Sequence, residues 1–233
     1  MSDLPEDLFA NPVWHALHTR HRHFAESAGD ACRYPADVAP FAAVDTPTTS
    51  ALQSLHSLLV PGEYVWLIGE SYPSIADLPC AGTIECLQMV LPEAVTPPDP
   101  NPVIVPLSCT HASEMVALTD IAFPGFFRLR TCVMGSYFGI WNPTDPTHLI
   151  AMAGERLVLH PHREVSGVCT HPNHRGQGYA AALTAHVLHH QRSLPARSVL
   201  HVVSTNHAAI SIYHRLGFQT LREVHLHRLK RPD

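Results

Sequence analysis

Apolar and polar positions alternate most legibly over the second half of the chain. Ser113 to Ile121 opens on a candidate N-cap and places Met115, Val116 and Leu118 at apolar positions, which predicts a helix. Cys132 to Trp141 and Leu149 to Leu159 predict two strands around the turn chemistry of Asn142-Pro143-Thr144-Asp145-Pro146, hence an antiparallel hairpin. Glu164 to Thr170 predicts a third strand, Gly176 to Arg192 an amphipathic helix, and Val199 to Ser204 a short buried strand. Ala208 to Leu216 predicts a helix stopped by Gly217, and Phe218 to Leu229 the last strand or strands. This succession predicts a mixed α/β layer rather than a barrel or a bundle.

The first half gives weaker patterns. Leu4 to Glu26 predicts a helix starting near Pro5 and ending before Gly29; Ser50 to Leu59 predicts a second, ending before Pro61-Gly62. Tyr64 to Ile68 and Gly82 to Leu91 are strand candidates. Pro92 to Pro106 carries six prolines in fifteen residues, which excludes helix and central strand. It reads as a linker, dividing the chain into an α/β region at 1–91, a linker at 92–106 and a domain at 107–233.

Composition narrows the classes. Of 233 residues, 45% are hydrophobic and 15% charged, which excludes intrinsic disorder. A net charge of −5 argues against nucleic acid as a partner. No apolar stretch reaches the roughly 18 residues of a membrane span. The acidic start, Met1 to Phe9, lacks a secretory pattern, so the expected compartment is the cytoplasm. The six cysteines never form Cys-x-x-Cys and read as reduced core thiols. The 19 histidines outnumber the 15 Lys plus Arg. Pairs such as His171/His174, His186/His189 and His225/His227 are what chance gives at this density, so no metal is expected and the histidines read as surface and filler choices. Their titration near pH 6.5 makes the net charge and solubility sensitive to acid.

The chemistry concentrates in Val168-Cys169-Thr170-His171-Pro172-Asn173-His174-Arg175-Gly176-Gln177-Gly178-Tyr179-Ala180. A strand runs into a turn where an arginine and two glycines open a helix. The first amides of a helix lack intrahelical acceptors and carry the positive end of its dipole, so they attract anions. Gly176 and Gly178 let the backbone approach a pyrophosphate, and Arg175 adds charge. Taken alone, the same glycines read equally as a tight strand–helix turn. A second segment, Asn206 to Phe218, follows a buried strand; Asn206 can cap the helix or reach a ligand, and Tyr213 lies one turn before its end.

Together, in this order and some thirty residues apart, the two segments resemble the GNAT superfamily of N-acetyltransferases. Arg175, Gly178 and Ala180 fit its Q/R-x-x-G-x-G/A pyrophosphate loop. Asn206, Ala209, Tyr213 and Leu216-Gly217-Phe218 look like its second signature. Ala151 to Arg156, Glu164 to Ser166 and Cys169 to Pro172 are similar to the FR47-like branch. The resemblance spans about Leu107 to Leu229 and implies an acetyl-CoA-dependent enzyme acting on a small-molecule or peptide amine. It implies acetyl-CoA contacts along Val168, Cys169 and Thr170, at Arg175, Gly176, Gln177, Gly178, Tyr179 and Ala180, and at Asn206. Tyr213 matches the position of the general acid and Glu164 that of the base, with Glu155, His160 and His162 as rivals. Residues 1–91 read as a second, degenerate copy of the fold that closes the acceptor groove or serves a homodimer. The competing reading is a non-catalytic acyl-CoA-binding or regulatory module.

Overall fold

The computed structural model describes residues 6–98 and 104–233. The expected helix start near Pro5 and residues 99–103 of the proline segment lie outside them. The first elements in chain order are α1 (Glu6–Ala10), α2 (Pro12–His18), β1 (Glu26–Ala28), β2 (Ala31–Arg33), β3 (Ala42–Val44), α3 (Thr49–Leu58), β4 (Tyr64–Gly69) and β5 (Cys80–Val90). There follow β6 (Val105–Leu107), α4 (Ala112–Ala122), β7 (Tyr137–Asn142), β8 (Asp145–Leu159), β9 (His162–Thr170), α5 (Tyr179–Ser193), β10 (Arg197–Val203), α6 (His207–Arg215) and β11 (Gln219–Lys230).

The chain divides into two units. One comprises Met1–Ala36, Pro40–Cys86 and Glu223–Asp233; the other comprises Asp37–Ala39 and Leu87–Arg222. In the first unit β1, β2 and β3 form a small antiparallel sheet, and β4 pairs antiparallel with the end of β11 from Tyr64↔Lys230 to Gly69↔His225. α3 is capped by the Thr48 side chain, which accepts from the Ala51 amide, and packs Leu52 and Leu55 against Leu67, Leu78 and Leu229. The single helix expected over Leu4 to Glu26 is instead broken. Pro12 stands at the first position of α2. Its ring disfavours helical geometry at Asn11, so α1 ends at Ala10 and a new helix begins.

In the second unit the sheet runs β5-β10-β9-β8-β7-β6, with β11 beside β5. β9 and β10 are parallel; the β8–β9, β7–β8 and β6–β7 pairs are antiparallel. α5 and α6 cover one face, where Leu183, Leu188, Leu200, Tyr213 and Phe218 share a core. α4 covers the other, packing Met115 and Leu118 against Met152 and Cys169. The strand expected over Cys132 to Trp141 begins only at Tyr137, after a 3-10 turn at Thr131–Val133 in which the Thr131 hydroxyl accepts from the Arg128 amide at 2.7 Å.

The described part of the proline segment is ordered against the second unit. Val105–Leu107 pairs with β7, and Pro106 is tolerated because β6 is an edge strand. His189 of α5 donates to the Pro98 carbonyl at 2.7 Å, and Arg192 donates to Val95 at 3.2 Å. The Val95 side chain fills the space beside Gly217, where a Cβ would come within 2.6 Å of it at a left-handed φ of +94°. The division between the units falls within β5, between Cys86 and Leu87.

One expectation about the cysteines is overturned. Cys109 and Cys132 form a disulfide with Cα atoms 5.3 Å apart. They sit in the 3-10 turns that precede and follow α4, so the segment after the helix returns to its start and brings together residues 23 positions apart. Cys32, Cys86 and Cys169 are buried cysteines outside any disulfide, and Cys80 is exposed. Among the described residues no helix is long and apolar enough to cross a membrane.

Candidate active site

The site is built where two parallel strands part. β9 and β10 pair only from Arg197↔His162 to Val199↔Glu164, after which β9 runs on to Thr170 and β10 to Val203. Beyond Glu164 the edge of β9 that faces β10 carries backbone groups outside that ladder. β9 also holds a bulge. Ser166 pairs with Gly154 and Cys169 with Met152, so three steps on β9 match two on β8. Gly167 takes φ +65°, and a Cβ there would press on Met152 and Tyr137.

The bulge changes which side chains share a face. Val165 and Val168 pack on the α5 side, while Cys169 packs under α4. Without the extra residue Glu164 and Cys169, five positions apart, would point to opposite faces. With it, both lie on the α4 face.

At the end of β9 the chain turns into α5. Gly176 and Gly178 adopt φ of +80° and +78°, and a Cβ at either would meet nothing within 4 Å. These glycines therefore serve the left-handed backbone and leave open space before the helix. The first intrahelical bond of α5 runs from Ala182 to the Gly178 carbonyl, so the amides ahead of it lack helical acceptors. Arg175 donates from Nε to the Thr170 carbonyl at 3.4 Å, and Tyr179 donates to Gln177 Oε1 at 2.8 Å. Asn206 caps α6, its Oδ1 accepting from the Ala209 amide at 3.2 Å.

Tyr213 of α6 is 7% exposed, on the α5 side of the sheet. Burial, with the Cys169 thiol as an electrostatic neighbour, pushes its phenol up to about 12, so it stays protonated at neutral pH. The Cys169 thiol, itself pushed up to about 12 by burial, is equally neutral.

Glu164 is 1% exposed and heavily bonded. Arg156 donates to both carboxylate oxygens, from Nε at 2.8 Å and from Nη2 at 2.5 Å. His201 Nδ1 lies 2.7 Å from Oε1. Burial by itself would raise this carboxyl, but the Arg156 charge and the bonds from His201 and Arg156 outweigh it and hold Glu164 at about 2. This works against the general-base role expected for Glu164. A carboxyl held so far below the ordinary carboxylate range is a poor acceptor for the proton of an alkylammonium.

Two of the rivals, Glu155 and His162, are no better placed. Glu155 is fully buried on the α5 side, accepting from Gln191, Arg163 and the Ser136 amide. His162 is held down to about 4 by burial and the Arg197 charge. The partners of Glu164 were not singled out from the sequence: Arg156, His201, and behind them Gln88 and Arg222. His201 also corrects the view of the histidines as filler.

A parting pair of parallel strands, a bulge and a glycine turn opening a helix define the class, an acetyltransferase fold of mixed α/β type. The comparisons make it specific. A family model described as FR47-like protein matches residues 138–226. A solved structure of a GNAT-family protein from Novosphingobium aromaticivorans DSM 12444, named as an acetyltransferase, is 30% identical, covers 97% of this chain and 99% of its own, and superposes with a TM-score of 0.86. The chain belongs to the GNAT family. A GCN5-related N-acetyltransferase from Kribbella flavida shares the fold at 19% identity and TM-score 0.62, with 96% of each chain covered. A GCN5-related N-acetyltransferase-like protein from Streptococcus suis 89/1591 does so at 11% identity and TM-score 0.59, covering 98% of this chain and 94% of its own. No curated protein matches the chain.

Proposed function

We propose that the protein transfers an acetyl group from acetyl-CoA to a primary amine, small-molecule or peptide, by direct attack. The observation that carries this is the opening between β9 and β10, bounded by the bulge at Gly167 and the glycine turn, with a protonated Tyr213 on one face and an ionised Glu164 on the other. The open space at Gly176 and Gly178 fits a pyrophosphate, held by the free amides at the start of α5 and by Arg175. Val168, Cys169 and Thr170 offer backbone partners to the pantetheine arm, and the Val168 amide stabilises the charge that develops on the thioester oxygen.

In the reaction the amine nitrogen bonds to the thioester carbon, the carbon–sulfur bond breaks, the departing thiolate takes the Tyr213 proton, and the proton that the new amide nitrogen sheds returns through solvent to the Tyr213 phenolate. Glu164 contributes its fixed negative charge, which favours an ammonium on the α4 face; the ammonium loses its proton to solvent before attack. The net charge of −5 favours a cationic acceptor in the same direction.

Isothermal titration with acetyl-CoA tests the binding half of the reading. Wild type binds, and Gly178→Glu does not, because the variant places a side chain and a negative charge in the pyrophosphate space. Equal affinity in the two proteins overturns it.

A further inference from the structure

A chain of side-chain hydrogen bonds crosses the sheet of the second unit on the α4 face. Arg222 of β11 donates from Nε to Gln88 Oε1 at 2.9 Å. Gln88 Nε2 lies 2.9 Å from His201 Nε2, and His201 Nδ1 lies 2.7 Å from Glu164 Oε1. Arg156 closes the far end on β8. Strand parity confirms the face: Met89, Leu200, Val202 and Val165 point to the α5 core, so Gln88, His201 and Glu164 point away from it.

The direction of every bond is fixed from the ends. A guanidinium only donates, so Gln88 Oε1 accepts and Gln88 Nε2 donates. His201 Nε2 must then accept, which makes Nδ1 the protonated nitrogen, and Nδ1–H donates to Glu164. The groups facing the imidazole are thus Glu164 on β9, Gln88 on β5 and, one bond further, Arg156 and Arg222; the Tyr137 phenol on β7 faces the same carboxylate. His201 is therefore a neutral donor of set tautomer. Gln88 is 0% exposed, so its amide lies out of reach of bulk solvent.

The position matters as much as the polarity. His201 lies two residues beyond Val199, the last residue of β10 in the ladder with β9, and reaches back to Glu164, the last residue of β9 in it. The bond spans the two strands just where their backbones separate. We propose that His201, Gln88 and Arg222 are positioning residues: they set the splay of β9 and β10 and hold the Glu164 carboxylate ionised and fixed in place at the point where the strands part. This rests on the reading of Glu164 as the anionic group of an N-acetyltransferase, and the test separates the two.

The first arm needs no turnover. In 15N-histidine NMR at pH 7, the resonances lost in His201→Asn belong to a neutral Nδ1–H ring. An imidazolium or an Nε2–H ring at pH 7 overturns the proposal, whatever the activity. Gln88→Glu is expected to reverse the inner bond, because a carboxylate accepts from both neighbours; the ring then becomes an imidazolium. The second arm is kinetic. His201→Asn keeps a donor at the Nδ1 position and stays within about threefold of wild type in kcat, whereas His201→Phe loses about 10- to 100-fold. Equal kcat in the two variants, each shown folded by its melting curve, overturns the positioning role. If no amine is acetylated even by wild type, the enzymatic reading fails while the NMR result still decides the network.

Discussion

Glu164 and His201 are joined at 2.7 Å across two strands whose backbone ladder ends at Glu164 itself. The bond fixes what the carboxylate does. Held also by Arg156, it is an anion at neutral pH and a poor acceptor of a proton. The acceptor amine then governs the pH dependence. With an alkylamine of pKa near 10, kcat/KM should rise about tenfold per pH unit from pH 6 to 9. Glu164→Gln should keep that slope and raise KM for the amine by about tenfold. An enzyme plateau between pH 5 and 8 that vanishes in Glu164→Gln would restore the general base.

The same carboxyl makes the fold sensitive to acid. Its folded value, about 2, lies below the ordinary 4.5, so its stabilising effect is complete above about pH 4.5 and is lost as pH falls toward 2. The contribution is up to about 3 kcal/mol. Urea melts of wild type and Glu164→Gln between pH 6 and 3 should converge as the pH drops. Parallel curves would show that Glu164 does not titrate there.

Tyr213→Phe removes only a hydroxyl from a buried, well-packed ring beside Phe218. Its kcat should fall about 100-fold or more, with acetyl-CoA affinity within about threefold of wild type. Full turnover would assign the leaving-group proton to another donor.

The Cys109–Cys132 bridge closes a loop around α4. Cross-linking a loop of about two dozen residues stabilises a fold by roughly 3 kcal/mol on chain-entropy grounds. Cys132→Ser, or wild type in dithiothreitol, should melt several degrees lower than oxidised wild type. Identical melting temperatures, with two extra thiols titrated in the reduced sample, would show that α4 is held by packing alone.

What was legible in the sequence was local. The turn at Arg175 to Gly178 and the α6 signature at Asn206 and Tyr213 each lie on one short stretch, so spacing and residue type were enough. The bonding state of Glu164 was not, because Arg156, His201, Gln88 and Arg222 come from four other strands, and only the sheet order makes them neighbours. The β9 bulge added a parity shift that no period-2 reading registers. In the first unit, β1, β2 and β3 have three residues each, too few for an alternating pattern, and Pro12 begins a helix rather than lying inside one.

The most direct test is release of free CoA from acetyl-CoA over a panel of chemically distinct amines, with each product weighed by mass spectrometry. Release that depends on the amine, with one acetyl group added to it and lost in Tyr213→Phe, is the expected result. Tight binding of acetyl-CoA with no amine-dependent release on any member of the panel would contradict it and leave a binding module with an enzyme's fold.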